Sequence, residues 1–451
     1  MSNDIQLPKS IGFWGLFAMS LGVNIGGALF ALTTLAAAYS GPSLPLAMLI
    51  AATPVLLALA PFCVLSLAHP TTSASYRYAQ LVSPTVAVVS LLTSVVCMGL
   101  GGMPLFGLVA GNSLSSFVGL PPAIVGALVI AFFYFINVVG LNFSARIQLL
   151  LTAILVSALL LFITTGSADV AAENFSPLFP NSLVGTLVAT GILYTFCAGG
   201  LFVVDLGGEV IKADSAVPRA LVAGMVAALL IYLGVMFVTV GVNRWSALNG
   251  MPLVSLASQF MGSKALLYFT IGGALCAAIT TINGVFALQA RLILAVADDG
   301  LISDYFSAIH ARFGTPHRAL GLVAVISIVS LLVIPSITFF ASMLNFTMLM
   351  GVSFVTLAAL KVTRDYPQLS AQPTFNISTL TLRRICRLVV SMNILIAGFL
   401  ALRAGWASIV FAGILASAFA YSQLHREKLR TLAETTTLHW QTLEKDAGER
   451  R

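Results

Sequence analysis

The chain has 451 residues; 59% are hydrophobic and only 8% charged, with 22 Lys and Arg against 15 Asp and Glu and a net charge of +7. Soluble domains carry roughly 25% charged residues, so this composition excludes a soluble globule, a nucleic-acid-binding protein and a disordered chain. Of the 37 charges, 11 lie in residues 425–451, which leaves 26 for the preceding 424; the solvent for most of the chain is lipid.

A membrane-crossing helix needs about 20 apolar residues. In chain order the sequence predicts twelve: 11–39, 44–68, 85–110, 122–141, 147–166, 184–207, 220–241, 266–290, 319–334, 338–360, 388–402 and 406–424. The ninth and eleventh are short, and the first is too long for one straight helix. The run from Ile11 is also longer than the core of a cleavable signal peptide. Residues 1–10 precede the spans, and the mixed-charge tail 425–451 reads as a solvated helix. The longest connections, 167–183, 242–265, 291–318 and 361–387, leave no room for a large soluble domain.

Twelve crossings return the chain to its starting side. One set of loops and ends holds 19 cations, including Lys9, Arg77, Arg146, Lys212, Arg291 and six in the tail; the other holds Arg244, Lys264 and Arg403. The positive-inside bias then places both termini in the cytoplasm. It also accounts for the basic loops without a nucleic-acid partner, leaving anionic lipid as a modest extra. Cys63, Cys97, Cys197, Cys276 and Cys386 sit in apolar runs without CxxC spacing, and read as small buried hydrophobes, with no metal site.

Inside lipid, an unwound backbone survives only where it lines a cavity, and glycine clusters in the middle of an apolar run mark such breaks. The first span carries Gly22-Val23-Asn24-Ile25-Gly26-Gly27-Ala28-Leu29-Phe30 and the sixth Phe196-Cys197-Ala198-Gly199-Gly200-Leu201, each near its midpoint. Small residues also serve tight helix packing, but breaks at spans 1 and 6 fit a repeat of five. A half-helix starting after Gly26 would offer N–H groups and a positive dipole end to a carboxylate. A half-helix ending near Phe196 would offer carbonyls to an ammonium group. An amino acid carries both groups.

The segment Gly22 to Phe30 resembles the first-helix signature of amino acid–polyamine–organocation (APC) transporters, Gly-x-x-Ile-Gly-x-Gly-Ile-Phe, with Ala28 and Leu29 in place of Gly and Ile. Gly207-Gly208-Glu209-Val210-Ile211-Lys212 through Val217-Pro218-Arg219-Ala220 resembles the ending of that family's helix 6. Ser144-Ala145-Arg146-Ile147-Gln148 resembles the start of its helix 5, and Ala297-Asp298-Asp299-Gly300-Leu301 with Gly314-Thr315-Pro316 its loop after helix 8. The resemblance runs from residue 10 to about 360. It implies an all-α membrane protein of twelve helices: an inverted repeat over 11–166 and 184–360, with helices 1 and 6 broken, and two further helices over 388–424. The implied function is secondary active transport of amino acids in a bacterial plasma (inner) membrane, by proton symport or exchange.

The candidate substrate residues are Asn24, Ile25, Gly26, Gly27 and Ala28 at the first break. At the second they are Tyr194, Phe196, Cys197, Ala198, Gly199 and Leu201, with Tyr194 and Phe196 as an aromatic lid. Asp205, the one carboxylate well inside a span, reads either as a proton or cation site or as an inner-gate partner for a basic residue. Glu209 reads as a gate. Thr280 and Thr281 would serve a sodium ion, although such threonines more often bond their own backbone. A helix 5 lysine found in proton-coupled and exchanging members is replaced by Leu155. With Leu201 where relatives often have an acid, the expected substrate is a neutral, apolar amino acid. A basic amino acid or amine exchanger of the same fold is the alternative. An intramembrane enzyme built on Asp298, Asp299 and Asp304 would need a second acidic motif, which the chain lacks. A channel fits the internal repeat less well than a carrier does. No cofactor is expected.

Overall fold

The computed structural model describes residues 9–248, 251–334, 336–370 and 377–449. Residues 1–8 of the predicted N-terminal segment and Arg450 and Arg451 of the tail lie outside them, as do the side chains of Ser144 and Ala145. Among the described residues every regular element is a helix, with isolated bridges only at Ile11–Val210 and Thr72–Leu206.

In chain order the α-helices are α1 (Phe13–Asn24), α2 (Gly27–Ser40), α3 (Leu44–Ala68), α4 (Ala74–Val82), α5 (Pro84–Leu92), α6 (Met103–Val118), α7 (Pro122–Val139), α8 (Leu141–Gly166), α9 (Ser182–Ala198), α10 (Ala213–Val242), α11 (Leu253–Ala257), α12 (Ser263–Tyr268), α13 (Cys276–Asp298), α14 (His317–Val333), α15 (Ile337–Asp365), α16 (Pro367–Ser370), α17 (Thr379–Arg403), α18 (Trp406–Leu424) and α19 (Arg426–Glu449). Local chemistry sets several boundaries. Ser83 accepts from the Val86 N–H at 3.1 Å just before Pro84, a capped start with proline in the first turn. Gly119, at φ +71°, ends α6.

Among the described residues ten helical stretches are long and apolar enough to cross a membrane. The first, Phe13–Ala68, takes in α1, α2 and α3, the region of the first two predicted spans. The predicted ninth span falls on α14, a 17-residue helix. The eighth runs on past its predicted end at 290 to Asp298, so Arg291 is not a loop cation. It is a buried helical residue, tolerated in that position because it is paired with Glu209. The Ser182–Asp205 stretch is largely buried inside the bundle, whereas α17 and α18 expose most of their surface. All five cysteines are buried and unpaired.

The tail is helical as expected, but it is not simply solvated. Trp440 is only 1% exposed, with its ring set among His69, Tyr78 and Tyr366 at centroid distances of 5.7, 6.3 and 6.0 Å. Lys428 donates to the Gly300 carbonyl, and the Gln368 N–H donates to Glu444. An amphipathic helix with one large aromatic can bury it and keep its charges wet. His69 lies just past the end of α3, 4.8 Å from the His439 ring. Burial beneath the tail, then the neighbouring His439 and Arg77, lower its pKa from 6.5 to about 3. Arg77, Gln80, Asp299 and His439 line the same polar crevice.

A histidine held neutral when docked favours docking above its free pKa and loses that contribution as pH falls toward the docked value. Tail docking should therefore weaken between about pH 6.5 and pH 3. Tryptic cleavage within α19, normalised at each pH to cleavage of an unstructured peptide, should be faster at pH 5 than at pH 7.5, and His69→Asn should flatten that difference. Trp440→Ala, which removes about 3–5 kcal/mol of packing, should expose the tail at both pH values.

Candidate functional site

The chain leaves helical geometry between Asn24 and Gly27. The Gly26 N–H turns back to the Asn24 carbonyl at 2.8 Å. Gly26 is extended (φ −89°, ψ −179°) and has no side chain to cap α2. The first N–H groups of a helix have no partner within it, so those of Gly27 and Ala28 are left facing the break. Gly26 is required by space: an added Cβ would fall 2.5 Å from Thr281 Oγ1.

The break in the sixth span takes a different form. The α-helix ends at Ala198, but the chain continues as 3-10 helix over Gly199–Asp205 and again over Gly207–Glu209. It tightens where unwinding was predicted. Two side chains tie the two breaks together. Asn24 Oδ1 accepts from the Gly200 N–H at 2.7 Å, and a Cβ on Gly200 would fall 2.3 Å from Asn24 Nδ2. Tyr232 of α10 places its hydroxyl 2.5 Å from the Asn24 carbonyl and 2.6 Å from that of Phe196. One O–H proton thus serves carbonyls from both breaks. Ser20 adds a bond to the Gly200 carbonyl at 3.2 Å.

A cavity of about 20 Å³ lies between the breaks. Asn24, Gly26, Ala28, Gly199 and Thr281 line it, together with Met98, Phe106, Val285, Leu344 and Met348. Ile25, Gly27, Cys197, Ala198 and Leu201 are buried beside it but do not line it. The aromatic lid is not formed by the expected pair. Tyr194 sends its hydroxyl to Asn393 of α17 at 3.1 Å, and Phe196 packs against the Tyr232 ring. The ring facing the cavity is Phe106. Neither Phe106 nor Tyr232 had a local signal in sequence, being single aromatics in uniformly apolar runs.

The family model described as amino acid permease matches residues 11–424. This chain belongs to the amino acid permease family. Curated relatives include the methylthioribose transporter of Bacillus subtilis (strain 168), 24% identical over 82% of this chain and 84% of that protein. A branched-chain amino acid permease of the same organism is 22% identical over 91% of each chain. The vacuolar cationic amino acid transporter 4 of Arabidopsis thaliana is 24% identical over 71% of this chain and 58% of its own length.

In the permease, the face carrying α4, α19 and the N-terminal segment is closed by polar contacts. Arg291 Nε and Nη2 meet Glu209 Oε1 and Oε2 at 3.0 and 3.3 Å, both side chains 3% exposed. The Glu209 carbonyl also accepts from the Ser10 and Ile11 N–H groups. Asp299, read in sequence as part of the loop after helix 8, has a buried side chain whose carboxylate accepts from Tyr76, Arg77 and Gln80 of α4. Among the described residues Asp205 is paired with no basic side chain; its oxygens accept from the Ser75 N–H at 2.5 Å and the Ser75 hydroxyl at 2.9 Å. On the opposite side, a cavity of about 640 Å³ opens between α2, α6, α11 and the start of α15, with Phe30, Asn112, Leu253 and Thr338 on its wall.

Thr280 and Thr281 bond their own helix and reach beyond it. Their hydroxyls lie 3.0 and 2.9 Å from the Ala277 carbonyl, and each lies 3.3 Å from the Gly22 carbonyl of α1. Four oxygens from two helices therefore converge beside the first break.

Removing the Tyr232 hydroxyl leaves two buried carbonyls without that donor, at a cost of about 1–3 kcal/mol each. Tyr232→Phe should lower the thermal midpoint of the purified permease and raise the substrate KM. A variant matching wild type in both would show that the bridge does not hold the breaks together.

Proposed function

We propose that the permease is a secondary active transporter of neutral, apolar amino acids in the bacterial plasma membrane, working by alternating access. The observation that carries this reading is the central cavity. Uncapped N–H groups at the start of α2 suit a carboxylate, the end of α9 suits an ammonium group, and Met98, Phe106, Val285, Leu344 and Met348 suit an apolar side chain. The names of relatives that carry branched-chain and cationic amino acids support the amino acid class.

The proposed architecture has twelve spans, with two inverted repeats of five and two peripheral helices, α17 and α18. The two breaks sit in corresponding spans of the repeats. The α4 face, sealed by Glu209–Arg291, is taken as cytoplasmic on a cation bias of 18 to 3 once the buried Arg291 is set aside from the 19. Glu209 then acts as an inner gate, and the wide cavity at α11 is the outer vestibule. This describes a carrier closed inside and open outside, rather than an enzyme or a channel.

A second reading concerns the coupling ion. The carboxylate of Asp205 supports a proton. The four oxygens of Gly22, Ala277, Thr280 and Thr281 favour sodium, a hard cation that binds neutral oxygen ligands.

Purified permease in liposomes should take up labelled leucine or valine saturably. Absence of saturable flux with neutral, basic and acidic amino acids and with amines would sink the transporter reading. Stimulation by an imposed sodium gradient, abolished in Thr281→Val, would assign sodium. Stimulation by a proton gradient, abolished in Asp205→Asn, would assign the proton. Acceleration only by internal substrate would mean exchange, and uptake restricted to lysine or polyamines would favour the basic-substrate alternative.

A further inference from the structure

The central cavity does not end at its apolar wall. A second cavity of about 30 Å³ adjoins it toward the sealed face, and Val23, Met98, Gly199, Val285 and Met348 border both. Its far end is polar, with Ser94, Asp205 and Gln289 on the wall. Gln289 of α13 is 8% exposed, and its Oε1 is buried with no hydrogen-bond partner among the described residues. Asp205 is held by Ser75 through one bond to each oxygen, and an ionised carboxylate has about four acceptor positions.

Buried amide oxygens are almost always bonded, so a vacant acceptor beside a partly used carboxylate points to a donor that arrives from outside the protein. The side chains that border both cavities, Val23, Met98, Val285 and Met348, are apolar. A group that reaches it therefore has an aliphatic stem and a donor at its tip.

We infer that Gln289 and Asp205 form a second substrate subsite. It takes a terminal hydrogen-bond donor, hydroxyl or ammonium, carried on the short aliphatic side chain of a substrate whose amino acid end sits at the helix breaks. This rests on the amino acid transport reading and revises its apolar side-chain class: an amphipathic side chain is preferred over a purely hydrocarbon one of the same length.

Isosteric pairs test this. L-Homoserine and L-norvaline differ by hydroxyl against methyl, and L-ornithine and L-norleucine by ammonium against methyl. In proteoliposomes, wild-type permease should favour at least one donor over its hydrocarbon partner in kcat/KM. In Gln289→Met that preference should fall by about fivefold or more, since loss of a single buried hydrogen bond is worth that order. A drop for homoserine alone assigns a neutral hydroxyl tip, and a drop for ornithine alone assigns a cationic one held chiefly by Asp205. Thermal unfolding, with and without each amino acid, shows whether the variant is folded. If Gln289→Met does not fold, Ser94→Ala in the same wall is the second variant and carries the same expected loss. If both pair ratios match wild type in a folded variant, the subsite is overturned while amino acid transport stands. If wild type takes up leucine or valine but none of the four, the subsite is overturned while transport stands; if it takes up no amino acid or amine at all, the transport reading falls and the subsite with it.

Discussion

A backbone amide or carbonyl stranded in hydrocarbon costs several kcal/mol, and this protein interrupts its helices in the middle of the bundle. The rest of the site follows from how that cost is met. Asn24 donates no charge to the break; its amide oxygen takes the Gly200 N–H, while its own carbonyl goes to Tyr232. Tyr232 also takes the Phe196 carbonyl, and Ser20 takes that of Gly200. Once these groups are satisfied, the donors left over are those at the uncapped start of α2. What remains at the break after the protein has met its own hydrogen-bond requirement is a set of backbone donors, which suit the carboxylate of the proposed substrate.

Charge is concentrated instead on one face. The Glu209–Arg291 and Arg77–Asp299 pairs are largely withdrawn from water, where losing one partner typically costs about 3–5 kcal/mol because the other is left buried and alone. Opening that face therefore has to hydrate both partners together. The opposite face is held by apolar side chains around an open cavity, so the two sides differ in kind: one separates only as a unit, and the other can widen by side-chain movement. The tail adds to the first of these, because the crevice beneath Trp440 and His439 is the one lined by Arg77 and Asp299.

The helices and both breaks were legible in the sequence because each rests on local composition. Long apolar runs specify spans, and glycines clustered at Gly26 and Gly199 specify where a span changes course. Glu209 stood out in the sequence as a charge just beyond the second break, but its partner Arg291 read as a loop cation. Only tertiary pairing makes a buried arginine tenable there. Tyr232, Phe106 and Gln289 gave no signal, since one aromatic or amide in an apolar helix reads the same whether it faces lipid, another helix or a cavity. Tyr194 shows the converse: its position beside the break suggested a lid, yet helical rotation turns it toward Asn393 on α17. The tail's charge pattern predicted a helix but not its docking, which depends on the ring pocket that His69, Tyr78 and Tyr366 build from three distant segments.

The size of the central cavity constrains how binding and movement are linked. Room of about 20 Å³ accommodates a water molecule and not an amino acid, although the cavity at α11 is far larger. A substrate arriving from that side has to enlarge the site as it binds, and two of the side chains it meets, Met98 and Met348, can shift without backbone rearrangement. Gly26 and Gly200 cannot yield in the same way, because the atoms of Thr281 and Asn24 already occupy the space beside them. Expansion is thereby directed away from the breaks and along the methionine wall, toward the corner where Gln289 and Asp205 lie. A ligand can shift a conformational equilibrium only by its differential affinity for the two states. Here the differential lies in contacts that exist only once the cavity has opened: the wall beyond the methionines and the acceptors behind it.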